Sequence, residues 1–205
     1  MFTIKGVVYP KKISQRIVRL QHKQSVIDAN AAATAANFSC GSFVRFSLSI
    51  DTTSHTVTDA SFSSNGCGFM VAAADILVEH VTKKDLRDLH GLDDAELNNK
   101  VYDRLGELPP NRRECVTECV EALRAAFVDH RARQIEEFHG EKALICTCFG
   151  VSEEAIENLI ARDSLETVDE VTTICNAGGG CGSCRMLIQE MLDSSENGRL
   201  YKLGE

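Results

Sequence analysis

The residues with the most chemical potential in this sequence are its nine cysteines, and their spacing divides them into two groups. Cys146-x-Cys148 and Cys181-x-x-Cys184 form two short clips separated by 32 residues. Four thiolates presented in this way can enclose one tetrahedral metal or a small cluster, provided the intervening chain folds back to bring the clips together. Spacing alone leaves a structural zinc site and an iron–sulfur cluster level. Just ahead of the second clip stand Gly178, Gly179 and Gly180, which lack a Cβ and so let backbone N–H groups approach sulfur closely. Cys175 fits neither clip and is expected to be an inert residue at a helix end.

The second group is dispersed. Cys40, Cys67 and Cys115 lie so far apart that only a tertiary fold could make them converge. Their local settings favour ionised sulfur, because Cys67 opens one apolar run and Cys115 lies near the start of another, and a helix N-terminus stabilises a thiolate. Arg112 and Arg113 add positive charge beside Cys115. Cys119, one turn further on, reads as an ordinary buried cysteine. His22, His55, His80, His90, His130 and His139 are scattered and read as surface residues. No glycine-rich phosphate loop follows a strand and no nucleophile elbow is present, so nucleotide hydrolysis and acyl transfer have no support.

The elements that must position these thiols follow from periodicity. Residues 9–23 carry Ile13, Ile17, Val18 and Leu20 at helical spacing among basic and amide residues, predicting an amphipathic helix. The alanine-rich stretch 28–37 reads as a connection. Strict alternation over 43–50, with Val44, Phe46, Leu48 and Ile50 on one face, predicts a strand, and 56–64 returns beside it through a turn at 51–55. A helix over 69–81 places Val71, Ala74, Leu77, Val78 and Val81 on one face and Cys67 at its mouth. A further helix is expected over 93–105, and Pro109 and Pro110 open a long one over 112–138. Beyond it, Ser152 can cap a helix over 153–161, and Thr167 with Glu170 forms a capping box for one ending near Ile174. Residues 185–192 give a last helix before a polar, frayed tail.

The stretch 131–142 turns charged and loses its apolar face, which places a domain boundary near His139. The expected organisation is residues 1–139, residues 140–194, and a tail at 195–205. No internal repeat is visible. Acidic residues outnumber basic ones by 30 to 22, so no basic stripe invites nucleic acid. Asp75 interrupts the best apolar run, which excludes a membrane span. Residues 1–12 lack the charged-then-apolar order of a secretory signal, so a reducing, cytoplasmic setting without disulfides is expected.

Two resemblances then stand out. Cys146-Thr-Cys148-Phe149-Gly150 and Gly178-Gly-Gly-Cys181-Gly-Ser-Cys184 resemble the bacterioferritin-associated-ferredoxin type of [2Fe–2S] domain over residues 144–194. That resemblance implies a small all-helical fold with Cys146, Cys148, Cys181 and Cys184 holding a permanent [2Fe–2S] cluster, and it leaves zinc as a substitute. Asn37-Phe-Ser-Cys40-Gly41, Asn65-Gly66-Cys67-Gly68 and the segment from Leu108-Pro109-Pro110 to Cys115 resemble, in order and separation, the cysteine segments of the IscU/NifU scaffold domain. The whole order looks like NifU without its C-terminal domain.

The resemblance implies an α+β fold in which a small antiparallel sheet is packed by helices, followed by the helical domain. It implies that Cys40, Cys67 and Cys115 carry a transient cluster, or iron, built with sulfur from a cysteine desulfurase and passed to apo iron–sulfur proteins. Cys115 is then the implied persulfide acceptor, and a homodimer is expected because three cysteines do not complete a ligand set. Such a protein is a carrier rather than a turnover enzyme. The sequence departs from the family pattern at Ser42, where Asp is usual, and at Glu114, where many members have His. Leu108-Pro109-Pro110 resembles the grip of an Hsp70-type chaperone, with Asn111 in place of an apolar residue. The rival readings are an electron-transfer protein using only the second cluster and a zinc-binding interaction protein.

Overall fold

In the computed structural model, residues 3–4, 7–20, 26, 28–89 and 93–202 are described. The chain divides into two compact units, Met1–Asp85 with Leu92–His130, and Leu86–Gly91 with Arg131–Glu205.

The first unit is built on a three-stranded antiparallel sheet of order β3-β4-β5, with β3 Ala31–Asn37, β4 Ser42–Asp51 and β5 Thr56–Ser64. A two-stranded ribbon, β1 Thr3–Ile4 with β2 Val7–Val8, precedes it. The alternation in β4 does what it predicts: Val44, Phe46, Leu48 and Ile50 are all buried. Phe46 faces Phe62 across the ladder, their rings 6.5 Å apart and tilted. Asp51 makes the hairpin turn by accepting from the N–H groups of Thr53 and Ser54 and from the Ser54 hydroxyl.

The alanine-rich stretch is a strand, not a connection. Alanine favours helix by only tenths of a kcal/mol per residue over most residues, and here that preference loses to a continuous ladder running from Ala31 opposite Leu48 to Asn37 opposite Ser42. Asn30 extends the ladder by one rung, its amide bonding both the N–H and the carbonyl of Ile50. On the outer edge of β3, the Ala32 N–H donates to the carboxylate of Asp129 at 2.9 Å.

Helix α2, Gly68–Val81, packs on β5, flanked by α1, Lys11–Val18, and α4, Asp94–Leu105. Rather than burying one stripe, α2 is buried on nearly every side from Phe69 to Val81, as expected of a helix that is apolar all round. The interruption at Asp75 is answered by Arg16 of α1. Asp75 is 0% exposed and ion-paired to the Arg16 guanidinium, which also binds Glu79 at 2.6 Å; Glu79 in turn binds Arg104 of α4 at 2.7 Å. One charge network thus ties three helices together. The start of α4 is fixed by a capping box between Asp93 and Glu96. A 3-10 turn at Pro110–Arg112 leads into α5, Glu114–Glu136, within which the division between the two units falls. The first helix is shorter than predicted, and residues 21–23 at its expected end lie outside the described residues, as do His22 and His90.

The second unit holds the short α3, Leu86–Leu89, then α6 Glu153–Asp163, α7 Val168–Cys175 and α8 Arg185–Lys202. Ser152 caps α6 and the Thr167–Glu170 box caps α7 as the sequence predicts. A two-stranded ribbon, β6 Leu144–Cys146 with β7 Val151–Ser152, joins what was expected to be helices alone. Ile156, Ile160, Val171, Ile188 and Leu192 form its core. Helix α8 continues to Lys202, through most of the stretch expected to fray. Among the described residues no helix is long and apolar enough to cross a membrane.

Candidate functional site

In the first unit each dispersed cysteine sits at the end of an element. Cys67 is the N-cap residue of α2, Cys115 is the second residue of α5, and Cys40 closes the turn between β3 and β4. The fold brings the Cys67 and Cys115 sulfurs to 3.7 Å. Close packing fixes this approach: a Cβ at Gly68 would stand 2.5 Å from Ile17 and 2.7 Å from the Tyr9 ring, and the Gly68 N–H donates to the Tyr9 hydroxyl at 3.0 Å.

The pair shares charge unequally. The Cys115 thiol donating to Cys67 is the largest influence on Cys67. It acts against burial and together with the N–H groups of Met70 and Phe69 and the positive charge of Arg112, lowering Cys67 to about 5. Cys115 is pushed up by its hydrogen bond to Cys67, by burial, and by the nearby charges of Cys67 and Glu118. The pair thus shares one thiolate, and the Met70 and Phe69 N–H groups with Arg112 favour it at Cys67. Arg112 precedes Cys115 closely in the chain, yet its guanidinium lies over the Phe69 ring, 5.8 Å from the centroid, at the mouth of α2.

Cys40 is exposed and its sulfur lies 3.0 Å from the Ser42 hydroxyl, at the position where the sequence departs from the scaffold pattern. Glu114, the other departure, is exposed. Two asparagines tie the Cys40 turn to the other thiols. Asn65, two residues before Cys67, donates to the Gly41 carbonyl at 3.1 Å and accepts from the Phe43 N–H at 2.7 Å. Asn37 accepts from the Ser39 and Cys40 N–H groups at 2.9 and 3.1 Å, and its amide nitrogen donates to Glu118 on α5. Both asparagines stand in the cysteine motifs; only their partners across the fold reveal their work.

Cys119 is fully buried, its thiol donating to the Met70 carbonyl, and burial pushes its pKa up. Of the histidines expected at the surface, His130 is buried, and His80 is partly buried with its pKa lowered first by that burial. Leu108 is only 3% exposed, so the Leu-Pro-Pro segment keeps its leading side chain in the core.

In the second unit the two clips meet. The Cys148 and Cys181 sulfurs lie 3.4 Å apart, and Cys146 feels both the Cys148 and the Cys184 thiol. Cys146 is lowered to about 5, first by the Cys148 thiol, against burial, and with help from the N–H groups of Phe149 and Gly178 and from the Cys184 thiol. Cys148 is pushed up by its Cys146 neighbour and by burial. At Cys181 burial pushes upward, but the Ser183 hydroxyl and N–H, the Cys148 thiol and the Arg131 charge outweigh it, and the net direction is down. Burial and the neighbouring Cys146 raise Cys184 to about 11. The Gly178 N–H thus serves two sulfurs, and it does so from a backbone with φ +85, where a Cβ would come within 3.0 Å of Thr172. Cys175 stays apart, its thiol donating to the Val171 carbonyl at 3.2 Å.

Among the described residues no three His, Cys, Asp or Glu side chains converge on the position of one metal ion. A [2Fe–2S] cluster asks for four thiolates held as two pairs, one pair on each iron. The donor set of the second unit fits such a group: four thiols in linked contacts, in a small core, with backbone N–H groups directed at sulfur.

An α+β unit with a thiol–thiolate pair, followed by a helical unit with four gathered thiols, defines a two-centre cysteine protein. The chain belongs to the NifU-like N-terminal domain family, whose profile matches residues 8–137; the BFD-like [2Fe-2S] binding domain matches residues 144–194. It is 30% identical over 184 residues to the nitrogen fixation protein NifU of Azotobacter chroococcum mcd 1, covering 90% of this chain and 58% of that one. To the protein of the same name in Trichormus azollae it is 33% identical over 186 residues, covering 85% and 60%. To the iron-sulfur cluster assembly scaffold protein IscU of Aquifex aeolicus (strain VF5) it is 25% identical over 150 residues, covering 73% and 92%. The chain thus spans about 60% of the length of the NifU proteins it matches.

Proposed function

We propose that this chain is an iron–sulfur cluster assembly scaffold. In this reading Cys40, Cys67 and Cys115 hold a transient cluster as cargo, and Cys146, Cys148, Cys181 and Cys184 hold a resident [2Fe–2S] cluster. The observation that carries it is the Cys67–Cys115 sulfur contact of 3.7 Å, with the Cys40 turn tied by Asn65 and Asn37 to the elements bearing the other two thiols.

The chemistry follows from the charge distribution. The Cys67 thiolate attacks the outer sulfur of a persulfide on a cysteine desulfurase; a new S–S bond forms, the desulfurase thiolate leaves, and Cys67 carries the sulfane sulfur. In this reading the acceptor is the thiolate of the Cys67–Cys115 pair, taken at Cys67, where the Met70 and Phe69 N–H groups and Arg112 favour it. Cys115, protonated beside it, can release its proton as iron binds, because metal binding displaces protons from thiols. An electron donor is needed to take sulfane sulfur to sulfide. When bound, the resident cluster supplies one-electron redox chemistry at the second unit. The finished cargo passes to apo iron–sulfur proteins, and a second copy of the chain supplies the ligands that three cysteines lack. An Hsp70-type chaperone gripping Leu108-Pro109-Pro110 would have to draw Leu108 out of the core.

The test is anaerobic reconstitution with ferrous iron, cysteine and a desulfurase. Two iron–sulfur centres should form, one lost to a chelator and one retained. Alanine at Cys40, Cys67 and Cys115 should abolish the labile centre and leave the resistant one. A single centre indifferent to those three substitutions would refute scaffold function and leave an electron carrier.

A further inference from the structure

We infer that Asn37, anchored on Glu118, is a clamp that sets the position of Cys40 against Cys115 and so governs how firmly the first unit holds its cargo. The inference rests on the scaffold reading and adds to it a pair of positioning residues outside the three cysteines.

Cys40 is the only one of the three dispersed thiols carried on a turn rather than at a helix start, and it is exposed. An exposed turn between two strands has few contacts to fix it, so its position depends on side-chain bonds. Asn37 supplies them in both directions. Its carbonyl oxygen accepts from the Ser39 and Cys40 N–H groups, folding the turn, while its amide nitrogen donates to the Glu118 carboxylate. Glu118 follows Cys115 by three residues on α5, so the two side chains share a helix face. A single asparagine therefore links the backbone of one thiol to the helix of another.

The surroundings give the link its importance. The sites where the scaffold pattern offers a further ligand carry Ser42 and Glu114 here; Ser42 is engaged with Cys40 and Glu114 is exposed. With no carboxylate following Gly41 to close over the cargo, retention falls to how the Cys40 turn is held. Asn65 holds that turn toward Cys67 through Gly41 and Phe43; the Asn37–Glu118 bond is the corresponding hold toward Cys115. Opening it frees Cys40 while leaving the Cys67–Cys115 pair in place.

The bond is an amide donor on a carboxylate acceptor, which permits a swap. Asn37→Asp sets two carboxylates against each other and breaks the clamp while preserving the acceptor for the Ser39 and Cys40 N–H groups. Glu118→Gln alone keeps an acceptor for the Asn37 amide and should leave the exchange of the Cys40 turn as in the unmodified chain, while the loss of its charge makes Cys115 easier to ionise. In the double variant the Gln amide donates to the new Asp carboxylate, and the clamp re-forms with its polarity reversed.

Two readouts on the full chain decide the matter. Without metal, hydrogen exchange of the peptide spanning 36–42 should quicken ~10-fold or more in Asn37→Asp, the worth of one hydrogen bond to a charged group, and return in the double variant. After reconstitution, loss of the labile centre to a chelator should quicken by a similar ~10-fold or more and be rescued in the double variant, with the resistant centre unchanged throughout. Unchanged release in Asn37→Asp, absence of rescue, or a Glu118→Gln phenotype equal to that of Asn37→Asp would overturn the clamp. If the unmodified chain forms no labile centre at all, the scaffold reading fails, and the role of the clamp in retention falls with it; the metal-free exchange still reports whether the bond exists.

Discussion

The unequal sharing of charge between Cys67 and Cys115 makes a prediction about reactivity that differs in shape from that of any ordinary thiol. With a pKa of about 5, Cys67 is almost wholly ionised at pH 7, whereas a free thiol of pKa ~8.5 is only ~3% ionised. The advantage in thiolate fraction is thus ~30-fold at pH 7 and ~300-fold at pH 6. A less basic thiolate is also a poorer nucleophile; a Brønsted slope of ~0.4–0.5 acting over a gap of ~3.5 in pKa costs ~25–60-fold. The two effects nearly cancel at pH 7, and at pH 6 Cys67 leads by roughly 5–12-fold. Its signature is therefore a flat profile: alkylation of Cys67 should hardly change from pH 8 to pH 6 and should fall only as the pH drops through about 5. A free thiol loses about tenfold per pH unit over that range. Replacing Cys115 with alanine removes the principal donor to the thiolate. A hydrogen bond to a charged group contributes about 1.5–3 kcal/mol, so the fall should move up by about 1–2 pH units. The assay is iodoacetamide labelling of chelator-stripped, reduced protein, read peptide by peptide by mass spectrometry. A tenfold loss per pH unit between 8 and 6 in the unmodified chain, or a Cys115→Ala profile that stays flat, would refute the reasoning.

Substituting Arg16 with Met should lower the stability of the first unit by ~3–5 kcal/mol, because it takes the guanidinium from a carboxylate, Asp75, that is 0% exposed; urea unfolding followed by circular dichroism measures this, and a loss below about 1 kcal/mol would contradict it. Gly178→Ala should destabilise the second unit by at least ~1–2 kcal/mol, since φ there is +85 and the new Cβ meets Thr172 at 3.0 Å. Its resistant centre should bleach faster in air. Gly41→Ala, at φ +68 with open space around it, provides the comparison in which backbone strain acts alone.

Where local chemistry decides structure, the sequence was a sound guide. Alternation over 43–50 marks a half-buried strand whatever it pairs with, and Ser152, Thr167 and Glu170 can satisfy helix N–H groups from within their own few residues. The two clips of the second unit were legible for the same reason, each being short. What escaped was decided across the fold. The alanine stretch became a strand because β4 lay beside it. Arg112 appeared to serve Cys115 because it precedes it closely, but the Phe69 face holds its guanidinium at the mouth of α2. Glu118 looked like any helical acid until Asn37 arrived from β3. Asp75 read only as a flaw in an apolar run, since nothing nearby in sequence announces Arg16 as its partner.

The Asp129 carboxylate on the Ala32 N–H has a consequence for how molecules meet in solution. A border strand made almost entirely of methyl groups offers little bulk to keep a neighbour away, and its outward donors are a template for sheet growth from one molecule to the next. An approaching strand would find one of those donors already occupied, and by an anion that repels its carbonyl oxygens. Glu118, bonded to the Asn37 amide at the far end of the same strand, is a second such attachment, so one helix holds that border with two acidic side chains.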